Sequence, residues 1–491
     1  MNLSKENLSA IRETGLIKPV PTMFDLPEKV LQFGTGVLLR GLPDYFIDKA
    51  NRQSLFNGRV VVVKSTDSGD AGLFDRQDGL YTLCVRGIED GRKAEENIIC
   101  SSISRVLSAK DQWKEILALA RRPEMQIVIS NTTEVGIQLV EDDVRLEPPV
   151  SFPGKLLGFL YERYQAFGGS PESGMVIVPT ELIVDNGKKL ASIVGELAGR
   201  CGLEADFLLW LERHCRFCSS LVDRIVPGKP DAAALQQLEH DLGYTDGLLA
   251  VCEVYRLWAI EGGEEVRRVL SFGGADEGVI IEPDIEIYRE LKLRMLNATH
   301  TLSCGLAVLA GFTTVKKGMD DAAFSAFVSD LMMKEIAPSI PYRPAVEQAR
   351  DFGLKVLDRF RNPHLQHQWM SITMQYSSKM KSRVVPVLLE HYKHHSEAPV
   401  HIALGWAAFL LFMRAEKKEG WDEKAGYFAD LWARYPAEEV VMKALGDHSL
   451  WGVDLLLLKG FPEAVLEQLD VLMNKGAMTA LALMSMKKDI V

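Results

Sequence analysis

Cysteine is scarce in this chain. Seven thiols scattered over 491 residues form no disulfide framework, so reduced thiols are expected. Long hydrophobic runs are missing too, and none approaches the roughly 20 apolar residues that cross a bilayer. The start, "MNLSKENLSAIRETG", has no apolar segment behind a basic one, so no membrane association and a cytoplasmic location are expected. Positive charge is in deficit: 56 Lys and Arg against 67 Asp and Glu leave a formal net charge of −11. That balance argues against a general nucleic-acid or anionic-membrane surface and favours a small-molecule site, locally basic if need be. There is no internal repeat and no low-complexity segment. The chain is also too long for one ordinary core, and two or three domains are expected.

Metal-binding spacings are sparse as well. "HCRFC" places Cys215 and Cys218 in a CxxC pair, but no second ligand pair accompanies it. The histidines of "EHYKHHSEAPVH", from Glu390 to His401, alternate with polar residues and read as a solvated helix end or loop. No metal is expected.

Residues 29 to 63 read as strand, turn, helix, strand: "KVLQF", "GTG", the amphipathic "LLRGLPDYFIDKANRQ", then "RVVVVK". This is the βαβ opening of a dinucleotide-binding sheet, in which Gly34 and Gly36 let the backbone turn tightly beside a pyrophosphate. The third glycine position of G-x-G-x-x-G is Leu39, so the pattern is incomplete and a plain βα turn also fits. The candidate cofactor residues here are Gln32, Phe33, Gly34, Thr35, Gly36, Val37, Leu38 and Arg40. Two more apolar runs, "MQIVIS" and "GMVIVPT", look like buried parallel strands. Their carboxyl ends carry "NTTEVG" and "ELIVDNG", which puts Asn131, Thr132, Glu181 and Asn186 where an open parallel sheet holds its ligands.

After "SFGGADEGVIIEPD" the periodicity becomes helical and stays so to Val491. The expected organisation is a Rossmann-like α/β domain over 1–284 and an all-helical domain over 285–491. The second begins with "RELKLRMLNATHT". At ideal α-helical spacing, Leu291, Met295, Ala298 and Leu302 form an anchoring stripe. Lys292, Asn297 and His300 share the opposite face with leucines, and only Arg294, Thr301 and Gly305 remain for a solvent side. From spacing alone Lys292 can snorkel to the surface; a cavity holding a partner is the functional alternative.

Taken in order, "LQFGTGVLLRG", "RQDGLYTL", "SNTTEVG", "PTELIVDNG", "FCSSLVDRIVP", "YRLWAIEG", "KLRMLNATH" and "RFRNP" make the chain resemble the long-chain mannitol dehydrogenase family nearly end to end. The K-x4-N-x2-H arrangement of that family is met by Lys292, Asn297 and His300. The resemblance implies metal-independent hydride transfer with NAD(H), with Lys292 as acid/base and Asn297 holding the carbonyl oxygen. His300 would bond a substrate hydroxyl or fix the site. Polyol-oxidising relatives carry a Cys-Asp-Asn-Leu run where this chain has "PTEL". Glu181 therefore stands near the place of an amide donor, with Asn186 a distant substitute, and the chain resembles the uronate-handling branch. Its implied substrate is a small keto-uronate or aldonate. For the carboxylate, Lys379 and Arg383 in "SSKMKSRVVP" are the chief candidates and Arg361 a weaker one. Asp67 is the acidic residue for the adenosine ribose; Lys64 before it keeps NADP open. Rival readings are a sister hexuronate enzyme, a neutral polyol dehydrogenase, and a silent dinucleotide sensor, whose mark would be loss of the Lys-Asn-His set.

Overall fold

Strands separated by helical stretches pair in parallel, because a crossover is too long for a hairpin. In the computed structural model, which describes residues 1–13, 15–65, 71–133, 135–342, 344–414 and 420–486, they form a six-stranded sheet. Its strands are Glu28–Phe33 (β1), Arg59–Lys64 (β2), Ile103–Ser108 (β3), Ile127–Ser130 (β4), Val176–Pro179 (β5) and Arg216–Phe217 (β6). Their order is β3-β2-β1-β4-β5-β6, with every neighbour parallel. This is the order of a doubly wound dinucleotide-binding sheet. Both faces are covered: Val30, Phe46 and Trp258 belong to one apolar core, Leu31, Phe33 and Phe159 to another. Burial on both faces is why "RVVVVK" and "MQIVIS" read as unbroken apolar runs. The order reverses between β1 and β4, so the carboxyl ends of those two strands flank the switch point.

The helix expected after the glycine turn is not continuous. It divides into Val37–Gly41 (α1) and Pro43–Arg52 (α2), with Leu42 between them at φ −136°, ψ −79°. Pro43 has no N–H to continue the ladder and biases the residue before it away from helical dihedrals. Two smaller sheets were not legible in the sequence. One joins Leu16–Ile17, Arg92–Cys100, Tyr81–Glu89 and Ala250–Glu253; the other joins Ser220–Asp223, Leu257–Glu261 and Val279–Glu282.

The chain divides into two compact units. The first comprises Met1–Arg86 with Lys93–Ile285, the second Gly87–Arg92 with Glu286–Val491. The second is built of helices around Val400–Phe412, which is buried at every position from Ile402 to Leu410. Gly405 lets this helix approach its neighbour, since a Cβ there would lie 2.8 Å from the Leu302 carbonyl oxygen. Among the described residues, no helix is long and apolar enough to cross a membrane.

Candidate active site

The turn after β1 shows what each glycine does. Gly34 has φ +125°, and a Cβ on it would stand 2.8 Å from the Asn131 carbonyl oxygen. Its amide donates to the Val63 carbonyl at 3.1 Å, so β1, β2 and β4 meet around a residue that only glycine suits. Gly36 is different. Its φ of −62° suits any residue, and an added Cβ would meet nothing within 4 Å. That open space beside the start of α1 fits a dinucleotide lying close to the backbone. Thr35, Val37 and Leu38 are partly exposed around it.

The other residues of the turn face inward. Phe33 is in the core, its ring 5.1 Å from Phe152. Gln32 is 1% exposed and donates from Nε2 to Asp44 at 3.2 Å. Neither side chain is presented to a ligand, and contact through them falls to their backbone. Arg40 is buried as well; its Nη1 donates to the Thr35 carbonyl at 3.2 Å, and its guanidinium lies over the rings of Phe74 and Tyr81. Beneath them Asp44 is fully buried, and that burial pushes its carboxyl up to about 7, against the opposing pull of the Gln32 hydrogen bond and the Arg40 charge. Asp67 lies outside the described residues.

At the ends of β4 and β5 a carboxylate ties two loops together. Both oxygens of the buried Glu181 are engaged. Oε1 accepts from the Thr132 amide at 2.8 Å and the Thr132 hydroxyl at 3.0 Å, and Oε2 from the Ser130 hydroxyl at 3.1 Å. Burial raises its carboxyl above the ordinary range while those donors pull it back. Asn131 Nδ2 donates to Thr180 Oγ1 at 3.0 Å. Asn186 corrects the sequence reading. It is completely buried at the start of Asn186–Arg200 (α3), and its Nδ2 lies within hydrogen-bonding distance of the carbonyls of Pro179, Glu181 and Ser220. Its Oδ1 accepts from the amides of Gly187 and Ser220. Every polar atom of that side chain is used internally, so it has nothing left for a substrate.

In the second unit, the catalytic candidates lie on a helix that departs from ideal spacing. Between Glu286–Leu291 and Thr299–Leu309 (α4), residues Lys292–Ala298 take the wider i→i+5 turn. Such segments sit mostly at functional sites, and this one begins at Lys292 and contains Asn297. The anchoring stripe of Leu291, Met295, Ala298 and Leu302 is buried as expected. The expected solvent side is not there. Thr301 is buried and its hydroxyl donates to the Asn297 carbonyl at 2.7 Å. Gly305 sits under Tyr376, whose hydroxyl accepts from its amide. Arg294 is buried, pairs with Glu290, and donates from Nη1 to the carbonyls of Ser382 and Arg383 at 2.8 and 3.0 Å. The cause lies on the neighbouring helix. Pro386, lacking an N–H, leaves the Ser382 carbonyl without its usual partner, and Met380–Val384 also opens into wide turns.

Lys292 and Asn297 are half-buried. His300 lies deeper, its ring stacked on Phe360 at 4.1 Å and meeting the rings of His367 and Trp369 edge-on at 5.3 and 5.7 Å. Its Nε2 is buried without a hydrogen-bond partner among the described residues. Burial, reinforced by the charges of His367, Arg359, Arg383 and Lys379, holds the imidazole well below its ordinary range, so it is neutral. Lys379 donates to the Ile372 carbonyl at 3.0 Å and Arg383 to the Thr301 hydroxyl at 3.3 Å. The second unit thus brings Lys379 and Arg383 together with His300. Sequence reading missed His367, Phe360 and Trp369; Phe360 lies within "RFRNP", and His367 and Trp369 in the "HLQHQW" that follows it.

The other metal candidates resolve into packing. Cys215 and Cys218 are buried, and burial pushes each thiol up to about 12. The histidine run is only partly solvated: His391 is buried and bonds the Glu397 carbonyl, and His401 pairs with Glu335 at 2.6 Å. Among the described residues no group of three or more His, Cys, Asp or Glu is arranged to hold a metal.

Comparison with known proteins agrees with this geometry. Residues 28–270 match the mannitol dehydrogenase Rossmann domain and 284–473 the mannitol dehydrogenase C-terminal domain. The chain is 36% identical over 481 residues to an altronate oxidoreductase of Halalkalibacterium halodurans, covering 93% of each. It is 37% identical over 461 residues to one of Bacillus subtilis, covering 93% of this chain and 95% of the relative. Among solved structures it resembles Pseudomonas fluorescens mannitol 2-dehydrogenase in a ternary complex with NAD and D-mannitol, with a TM-score of 0.67, 23% identity and coverage of 99% and 100%. A D-sorbitol dehydrogenase in substrate-free form gives a TM-score of 0.77 at 19% identity, with coverage of 98% and 100%. The chain belongs to the mannitol dehydrogenase family and is an oxidoreductase acting on a CH–OH group.

Proposed function

We propose that the protein interconverts D-tagaturonate and D-altronate with NAD(H), in the cytoplasm. The observation that carries this is the identity of 36% and 37%, over nearly the whole chain, to altronate oxidoreductases, joined to a Lys292, Asn297, His300 set retained on one helix. Residues 1–284 would hold the cofactor and residues 285–491 the acid/base set. The fit of the cofactor rests on Gly36, where the space a Cβ would take is open, with the backbone of Gln32 to Leu38 around it and Asn131 and Thr132 at the neighbouring strand end. Arg40 braces that turn from inside.

NADH, when bound, supplies the hydride that reaches the ketone carbon. The carbonyl oxygen gains a bond to hydrogen as the ammonium of Lys292 gives up its proton, and the amide of Asn297 donates to the same oxygen as charge develops on it. One keto acid, one NADH and one proton yield one hydroxy acid and one NAD; in oxidation Lys292 takes the proton back. Neutral His300 offers Nε2 to a substrate hydroxyl. Lys379 and Arg383 supply positive charge for the carboxylate. Glu181 is a positioning residue, setting Ser130 and Thr132 at the strand ends. The test is steady-state oxidation of NADH, and of NADPH in parallel, by purified protein with D-tagaturonate, D-fructuronate and D-fructose. The expected result is a kcat/KM highest for tagaturonate with NADH. Preference for fructuronate identifies the sister reaction, and preference for fructose a polyol enzyme.

A further inference from the structure

A second segment of the first unit lies along the glycine turn. After the strand Ser220–Asp223 the chain runs on as "RIVPGK", and its contacts follow α1 from the last residue of that helix to the first. Arg224 Nη1 donates to the Gly41 carbonyl at 2.6 Å. A Cβ on Gly41 would lie 2.8 Å from Val226 Cγ2, and one on Gly228 would lie 3.2 Å from Val37 Cγ1. On its other side the segment is tied to the strand Ala250–Glu253. Arg224 Nε donates to the Glu253 carbonyl at 2.9 Å, the Glu253 amide to the Ile225 carbonyl at 3.0 Å, and the Val251 amide to the Gly228 carbonyl at 2.8 Å. The Glu253 carboxylate accepts in turn from the Ile225 amide at 2.6 Å. Arg224 is itself buried, its guanidinium 4.6 Å above the Tyr45 ring. Six consecutive residues are thus held at both edges, and Gly228 is fixed against Val37, the neighbour of Gly36.

The residue delivered there is a cation. Lys229 follows Gly228 by one Cα–Cα step of about 3.8 Å, and Pro230 after it restricts its backbone. Lys229 is exposed, and among the described residues it has no hydrogen bond or ion pair. The acid nearest in sequence is already occupied: Asp231 caps the helix Ala232–Leu242, accepting from the Ala234 amide at 2.9 Å. Arg40, the cation within the turn, points inward to the Thr35 carbonyl. In a chain of net charge −11 the far field opposes an anionic cofactor, so a cation at its site raises encounter rate and affinity together.

We propose that Lys229 binds the pyrophosphate of NAD(H) across the glycine turn, and that the segment from Arg224 to Gly228 is the arm that presents it. The inference rests on the reading that NAD(H) occupies the open space at Gly36. The flexible four-carbon stem and point charge of a lysine suit a phosphate oxygen approached from solvent. A contact of this kind is partly exposed, so it weakens as salt screens it. The role belongs to the charge and not to the shape of the side chain, so arginine replaces it and glutamine does not.

The experiment compares wild type with Lys229→Gln, Lys229→Arg and Lys475→Gln, the last removing an exposed lysine of the second unit as a control for net charge. Fluorescence titration gives the NADH Kd, and calorimetry that of ADP-ribose, which carries the pyrophosphate without the nicotinamide. Both are measured without turnover between about 0.1 and 1 M NaCl, over which the screening length falls from about 10 to about 3 Å. At the lower salt Lys229→Gln is expected to weaken NADH and ADP-ribose alike by about threefold to fivefold, the scale of one exposed charge contact. The loss shrinks as salt rises, and Lys229→Arg stays close to wild type. Thermal melts check that each variant is folded. Wild type that binds both ligands while Lys229→Gln keeps both affinities and their salt dependence overturns the role of Lys229. A loss that persists undiminished at the higher salt, or that Lys475→Gln matches, overturns it as well. Wild type that binds neither NADH nor ADP-ribose overturns the cofactor reading of the turn and this inference with it.

Discussion

An amine can act as a general acid only where it reaches the reacting oxygen, and Lys292 opens a wide helical turn that also contains Asn297. Lys292→Ala removes the proposed proton donor and leaves the buried stripe of Leu291, Met295 and Leu302 in place. Turnover is expected to fall by about 10²–10⁴, the range of general acid catalysis, with NADH affinity little changed. Asn297→Ala should lower turnover without moving the pH profile. Keto-acid reduction against pH, with a cofactor titration as control, measures both. A Lys292→Ala enzyme that kept more than about a tenth of its turnover would show the amine to be a packing group. The two glycines of the turn make a second pair of single-residue predictions. Gly36→Val should fold normally and lose NADH affinity, because its backbone conformation suits any residue and its Cβ enters open space. Gly34→Ala should instead lower the melting temperature, since φ is +125° and the Asn131 carbonyl stands 2.8 Å from the new atom. NADH fluorescence titration and thermal melts separate the two; equal NADH affinity in a folded Gly36→Val protein would remove the turn from the cofactor site.

Elements are joined here by side chains that satisfy displaced backbone groups. Asn186 is the clearest case, linking the end of β5, the start of α3 and the strand Ser220–Asp223. Asn186→Ala strands several buried carbonyls and amides, at roughly 1–3 kcal/mol for each left unpaired. Urea unfolding should show a loss of about 3 kcal/mol or more on that basis. A stable variant with a raised substrate KM would return Asn186 to the substrate site. Arg294 and Thr301 do the same work beside the two wide turns, the first taking the Ser382 carbonyl freed by Pro386, the second the Asn297 carbonyl. The periodicity of "RELKLRMLNATHT" located the helix and its core stripe. It did not show that Arg294, Thr301 and Gly305 are buried, because which side of a helix is covered depends on neighbours nearly 90 residues along the chain.

At the scale of the whole molecule, Asp44 makes stability depend on pH. Its folded carboxyl stands at about 7 against 3.8 ordinarily. The native state therefore holds the proton that the unfolded chain gives up, and stability present below about 4 is lost as pH rises through about 7. The difference corresponds to at most about 4 kcal/mol. Asp44→Asn removes the ionisation with little change of shape. Denaturant unfolding at pH 5 and pH 8.5 should show the variant gaining on wild type as pH rises. A constant difference between the two pH values would mean that Asp44 does not carry a raised pKa.

Much of this protein was legible without its tertiary structure because it is written in short-range pattern. Continuous apolar runs announced the strands buried on both faces, the glycine turn and strand-helix alternation announced the parallel sheet, and the change to helical periodicity announced the helical part. The Lys292, Asn297 and His300 spacing, with its resemblance to the mannitol dehydrogenases, pointed to a hydride-transfer site. What pattern could not reach were facts set by distant partners. The spacing of "PTELIVDNG" says nothing of the three carbonyls around Asn186, nor of the hydroxyls that occupy Glu181. The break at Pro43 was written in the sequence, but the wide turn at Lys292–Ala298, beside which Arg294 bonds the carbonyls of Ser382 and Arg383, was not. His367 entered the cluster around His300 only because the chain folds its loop back against Thr313 and Val315. Local sequence sets each segment's preference; the choice of which polar atoms are spent on packing, and which are left for a ligand, is made when the segments meet.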